Sequence, residues 1–184
     1  MTGKSSQPPQ DARNHPNPLG VDPSVIASLR SATRTTFITG QATLEVPDRT
    51  GLAEGWHLGP YLWTQRGWPR NGIEAPDTIP YLGEEGVEDR GEDLRLHLRR
   101  PDLIGPIWMA NHARGYADIV LHDALQDREI LRCLDRDIDA NQTMIWIHTL
   151  LQSSRPMLPP KAAYRLDAWL TSPASAIATA PPDA

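Results

Sequence analysis

From residue 107 to residue 170, apolar side chains return every three or four positions, a spacing that a helix gathers onto one face. A helix over about 107–125 aligns Ala113, Ala117, Val120, Leu121 and Ala124. Asp127 then caps a second helix, about 128–152, with an apolar stripe of Ile130, Leu131, Leu134, Ile138, Ile145 and Leu151. Arg155-Pro156 stops it, because proline offers no N–H and disfavours a helical residue before it. Pro159-Pro160 opens a last short helix, with Ala163, Leu166, Trp169 and Leu170 on one side. The short connections make these three helices neighbours.

The first half reads differently. Asp22-Pro23-Ser24 supplies an N-cap and a proline at the first helical position, and Val25, Ile26 and Leu29 share a face of a short helix over about 23–33. Thr35, Thr36, Phe37, Ile38 and Thr39 are β-branched or aromatic and favour a strand, and residues 43–46 resume an alternating pattern after Gly40. A bulged strand and a hairpin around Gly40 both fit. Pro60, Pro69, Pro76 and Pro80 forbid a long regular element in 51–80, leaving room for a helical turn or two near 60–66. Leu94, Leu96 and Leu98 alternate with Arg95, His97 and Arg99 in the pattern of a half-buried strand; a short helix from Glu92 is the competing reading, and Pro101 ends either.

These elements predict an α+β fold, a small N-terminal strand pair or sheet packed on a C-terminal group of about three helices. The 184 residues suit one domain, placed at 22–171. Residues 1–21 and 172–184 are polar and proline-rich, too poor in apolar surface to offset their ordering entropy, and read as disordered tails.

The net charge of −5 and a pI near 5.6 give no global attraction to phosphate backbones, which disfavours a nucleic-acid partner; Arg95, Arg99 and Arg100 are the one local basic group that argues the other way. Cys133 is the single cysteine, so no internal disulfide forms, and the first twenty residues lack the apolar core of a signal peptide; both predict a cytoplasmic protein. No run approaches the roughly 18 apolar residues that span a bilayer. Phosphate-loop, dinucleotide, nucleophile-elbow, paired-cysteine and zinc-protease motifs are absent, and no residue pattern asks for a cofactor.

Candidate chemistry centres on Asn111-His112-x-Arg114-x-Tyr116-x-Asp118. His112 and Tyr116 are four apart and share a helix face; Arg114 and Asp118 are also four apart and point elsewhere. One reading is a hydrolase or transferase site in which His112 is the base and Arg114 an anion clamp, with Tyr116 beside them and His57 facing from the loop. The bland alternative is a hydrogen-bonded histidine and a surface ion pair. Asp118 and His122 have a possible metal-ligand spacing but no flanking glutamate or third ligand, so no metal site is expected. The alternating charges of 128–139 read as a solvated helix face, and the acids of 84–93 as a solvated turn.

With no catalytic signature, a non-catalytic interaction or regulatory protein, antitoxin-like in character, is the favoured expectation. Its protein partner would meet Trp56, Tyr61, Trp63 and Trp68, the residue types that dominate interfaces. The oligomeric state is not legible from the sequence.

Overall fold

The computed structural model describes residues 23–40, 43, 78–130 and 141–172. In chain order they form α1 (Pro23–Ser31), α2 (Ile79–Leu82), β1 (Val87–Asp89), α3 (Gly91–His97), β2 (Trp108–Ala110), α4 (His112–Leu125) and α5 (Asn141–Ser154). A single 3₁₀ turn (Arg155–Met157) and α6 (Pro160–Leu170) complete them. The fold is α+β.

Its two strands come from the middle of the chain. β1 and β2 pair antiparallel, with Val87 opposite Ala110, Glu88 opposite Met109 and Asp89 opposite Trp108. The threonine-rich stretch expected to supply strands contributes one parallel bridge, Ile38 to Met109. There the Ile38 N–H donates to the Trp108 carbonyl at 3.1 Å, and the Ala110 N–H donates to the Ile38 carbonyl at 2.8 Å. β2 is therefore hydrogen-bonded on both edges, which a strand with unpaired polar groups inside a protein requires. The continuation at 44–46, the helical turn near 60–66, the Asp22 cap and the two tails lie outside the described residues, except for Ser172.

The stretch 91–97 is helical, the competing reading. Leu94 and Leu98, four apart, are buried, while Leu96 is 74% exposed. Two of the three alternating leucines thus satisfy a helical period and one stands outside it. Glu92 and Asp93 sit in the first turn, where the helix dipole favours anions. One carboxylate oxygen of Asp89 accepts from the Gly91 N–H at 2.9 Å and from the Ile107 N–H at 3.0 Å, fixing the entry to α3 and the approach to β2.

α4 begins at His112, five residues later than the apolar spacing alone suggests, because residues 108–110 are drawn into β2. Nine of its 14 residues are buried, on every side, as befits a central helix. One core joins α4, α5 and α6 through Ala117, Val120, Leu121, Ile147, Leu150, Leu151, Leu166 and Trp169. A second gathers Ile26 and Leu29 of α1, Leu94 and Leu98 of α3, Ile107 and Met109. Phe37, Val87 and Ala110 form a third small cluster.

Asp127 does not cap a following helix. It has a left-handed backbone, φ 57°, and its carboxylate pairs with Lys161 and Arg165 of α6. Residues 128–130 are not helical, 131–140 lie outside the described residues, and α5 is described from Asn141. Its buried stripe is Met144, Ile147, Leu150 and Leu151, and Ile145, expected in the stripe, is 46% exposed. Positions 145 and 151 are six residues apart, about 240° round a helix, so they cannot both face one neighbour.

Candidate functional site

The polar run at the start of α4 is organised around Arg114. Asn111 caps the helix, its Oδ1 accepting from the Arg114 N–H at 2.9 Å. Asn111 Nδ2 in turn donates to Glu88 Oε1 at 3.2 Å. The Arg114 side chain is fully buried. Its Nε donates to Asp118 Oδ1 at 2.8 Å, and its Nη1 donates to the carbonyls of Gly83 at 2.9 Å and Glu85 at 2.6 Å. Those carbonyls close the turn after α2, which the planar donor fork of arginine holds from one side. Nη2 is buried without a hydrogen-bond partner among the described residues, and the guanidinium lies 5.2 Å from the centre of the Phe37 ring. A cation over an aromatic face gains part of the electrostatic attraction that a missing acceptor withholds.

Asp118 completes the network. Its Oδ1 also accepts from Thr78 Oγ1 at 2.7 Å, and Oδ2 accepts from Thr39 Oγ1. Burial pushes its carboxyl up from the ordinary aspartate value, against the opposing pull of Arg114 and the two hydroxyls. The Arg114–Asp118 pair is therefore an interior tie between the Thr39 segment, Thr78, the 83–85 turn and α4, in place of the surface pair that the spacing suggested.

Two glycines make the approach possible. Gly86 has φ 74°, and a Cβ there would stand 2.7 Å from Arg114 Cβ. A Cβ on Gly115 would overlap the Thr43 hydroxyl, which instead donates to the Gly40 carbonyl at 2.8 Å.

Of the expected catalytic group, His112 is half-buried at the first helical position, Arg114 is enclosed as above, and Tyr116 belongs to the α4–α5–α6 core at 5% exposure. His57 lies outside the described residues, as do Trp56, Tyr61, Trp63 and Trp68. A hollow of about 430 Å³ beside α6, lined by residues including Ile130, Tyr164 and Trp169, takes in none of the three described members. A second of about 620 Å³, beside Arg95, Leu96 and Arg99, takes in none either. Among the described residues no three His, Cys, Asp or Glu side chains gather as metal ligands, and no helix is long and apolar enough to cross a membrane.

No known family, curated protein or solved structure matches the chain.

The feature that sequence reasoning passed over is on α5. Asn141–Ser154 contains no Asp, Glu, Lys or Arg, in a chain where 22% of residues are charged. Gln142, Ile145, Trp146, Thr149, Gln152 and Ser153 are exposed and fall three or four apart along one side. Ile145 is 46% and Trp146 38% exposed. The signal was present as a run of 15 residues, 140–154, without Asp, Glu, Lys or Arg, but treating 128–152 as one helix lent it the charges of 128–139.

Proposed function

We propose that this is a non-catalytic binding protein that docks a protein partner on the exposed side of α5. The single observation that carries the reading is the pairing of Ile145 and Trp146, two large apolar side chains next to each other on a charge-free helix face. Interface cores are depleted of charge and enriched in tryptophan, whereas an ordinary solvated helix face is laced with Lys, Glu and Arg. A helix seated by Ile147, Leu150 and Leu151 presents these groups without further ordering cost, which favours affinity. A regulatory role, exerted by occupying the partner in the manner of an antitoxin, suits a chain of this kind. Cytoplasmic action fits its single cysteine, and the net charge of −5 favours protein over nucleic acid.

The test compares capture from a lysate of the native host by the tagged wild type and by Ile145→Asp and Thr149→Lys chains, with Lys161→Ala as the surface control. A protein retained by wild type and control, and lost from both α5 variants, is the expected result. Capture of the same proteins by all four chains, or of none by the wild type, overturns the reading. Circular dichroism of each variant separates loss of docking from loss of fold.

A further inference from the structure

We infer that the C-terminal end of α3 is a second docking site, different in chemistry from α5, and that it takes an acidic protein segment whose carboxylates lie between apolar side chains. The site starts from an arginine placed where the backbone favours glycine. Arg99 follows the last turn of α3 with φ 50°, a left-handed conformation that residues with a Cβ rarely adopt. The helix end does not need its guanidinium. The Arg99 N–H donates to the Leu96 carbonyl at 3.2 Å and the Arg100 N–H to the Arg95 carbonyl at 2.9 Å, so the backbone itself closes the last turn. The Arg99 side chain is exposed and has no hydrogen-bond or ion-pair partner among the described residues. A strained position whose side chain serves no local contact is where a role in binding is to be sought.

The neighbours of Arg99 supply the rest. The hollow of about 620 Å³ is lined by Glu92, Arg95, Leu96, Arg99 and Pro101. Arg95 is fixed there by its Nη1, which donates to the carbonyls of Leu103 at 2.8 Å and Gly105 at 3.2 Å. Those carbonyls flank Ile104, which is 86% exposed, and Leu96 is exposed with it. Arg100 is not part of the site, because its Nε and Nη2 both close on the Asp102 carboxylate.

Two guanidinia on one hollow attract carboxylate and phosphate alike. Two features select the carboxylates of a peptide. Leu96 and Ile104 offer apolar contact that a sugar–phosphate backbone does not return. Glu92, in the first turn of α3, stands about 10 Å along the axis from Arg99. Its charge repels an unbroken row of phosphates and tolerates a segment whose acids are spaced by apolar residues.

Nuclear magnetic resonance of the ¹⁵N-labelled full-length chain tests this, with the arginine Nε–H signals followed during titration. The probes are a capped peptide of Glu and Leu spaced by serine, and its counterparts with Gln or Lys in place of Glu. The Glu peptide should shift the Arg95 and Arg99 signals and bind at least about 10-fold more tightly than either counterpart. Arg99→Gly separates binding from folding, because glycine suits φ 50°. Its urea midpoint should match or exceed that of the wild type, while affinity for the Glu peptide falls about 10-fold. Leu96→Ser should weaken the same affinity, and Lys161→Ala, which removes a cation from α6, should leave it unchanged. Equal binding of the Glu and Gln peptides overturns the assignment, as do unmoved Arg95 and Arg99 signals, full affinity in Arg99→Gly, or an equal loss in Lys161→Ala. A single-stranded oligonucleotide is the rival probe. If it binds more tightly than the Glu peptide and Arg99→Gly loses it, the occupant is a nucleic acid and the acidic-segment assignment falls.

Discussion

Arg114 shows what a spacing of four can and cannot reveal. The pairing with Asp118 was legible from position alone, but its burial depends on Thr39, Thr78 and the carbonyls of Gly83 and Glu85, all 29 or more residues away in the chain. Local pattern carries no information on such partners. Removing one member of a buried pair leaves an uncompensated charge, so Arg114→Met should destabilise the protein by about 3–5 kcal/mol in urea unfolding, whereas Asp167→Asn, which breaks the exposed Arg155–Asp167 pair, should leave the unfolding midpoint nearly unchanged. Gly86→Ala should cost more than about 1 kcal/mol, because a Cβ there is both strained by φ and crowded against Arg114. Two aspartates should titrate on opposite sides of the ordinary value of 3.8. Asp118, desolvated, goes above it; Asp102, hydrogen-bonded by Arg100, goes down to about 2. The linkage signs are then opposite. Asp118 holds its proton more tightly folded than unfolded, so its contribution falls as pH rises from 3.8 through its raised folded pKa. That of Asp102 is present above 3.8 and is lost as pH falls toward 2. Carboxyl carbon chemical shifts followed from pH 2 to 8 check both directions, and a shared midpoint would contradict them.

Among the elements, α6 and the buried face of α4 were readable because their apolar residues keep one helical period between clear proline or strand boundaries. Pro160 sits at the start of α6, and Ala113, Ala117, Val120, Leu121 and Ala124 are all buried as expected. α3 and α5 were harder for different reasons. Three leucines at a period of two also contain one pair at a period of four, and only packing shows which pair the core accepts. For α5, the apolar residues of 130–138 run on into those of 144–151 without a breaker, so the stripe could be phased on Ile145 as readily as on Ile147. The phase has a measurable consequence. Ile147→Ala removes fully buried methylenes and should cost about 2–5 kcal/mol, while Ile145→Ala should cost under about 1 kcal/mol in the isolated chain. Equal losses at the two positions would mean that α5 is seated with a different side inward.

For the molecule as a whole, the charge distribution sets how a partner meets the α5 side. The chain carries −5 overall, yet α5 contains no Asp, Glu, Lys or Arg, so the proposed contact has no ion pair of α5 for salt to screen. The Debye length falls from about 30 Å at 0.01 M salt to about 8 Å at 0.15 M. Long-range attraction or repulsion between the two proteins is then largely screened, and apolar contact with Ile145 and Trp146 is untouched. Retention of the captured protein should therefore survive a rise in sodium chloride from about 0.01 to 0.15 M, read as the fraction that stays bound through the wash. An interface held by complementary charges behaves in the opposite way, losing affinity as its pairs are screened. Binding that is lost with salt would therefore locate the contact on a charged surface such as α6, with its Lys161, Arg165 and Asp167, and not on the neutral side of α5.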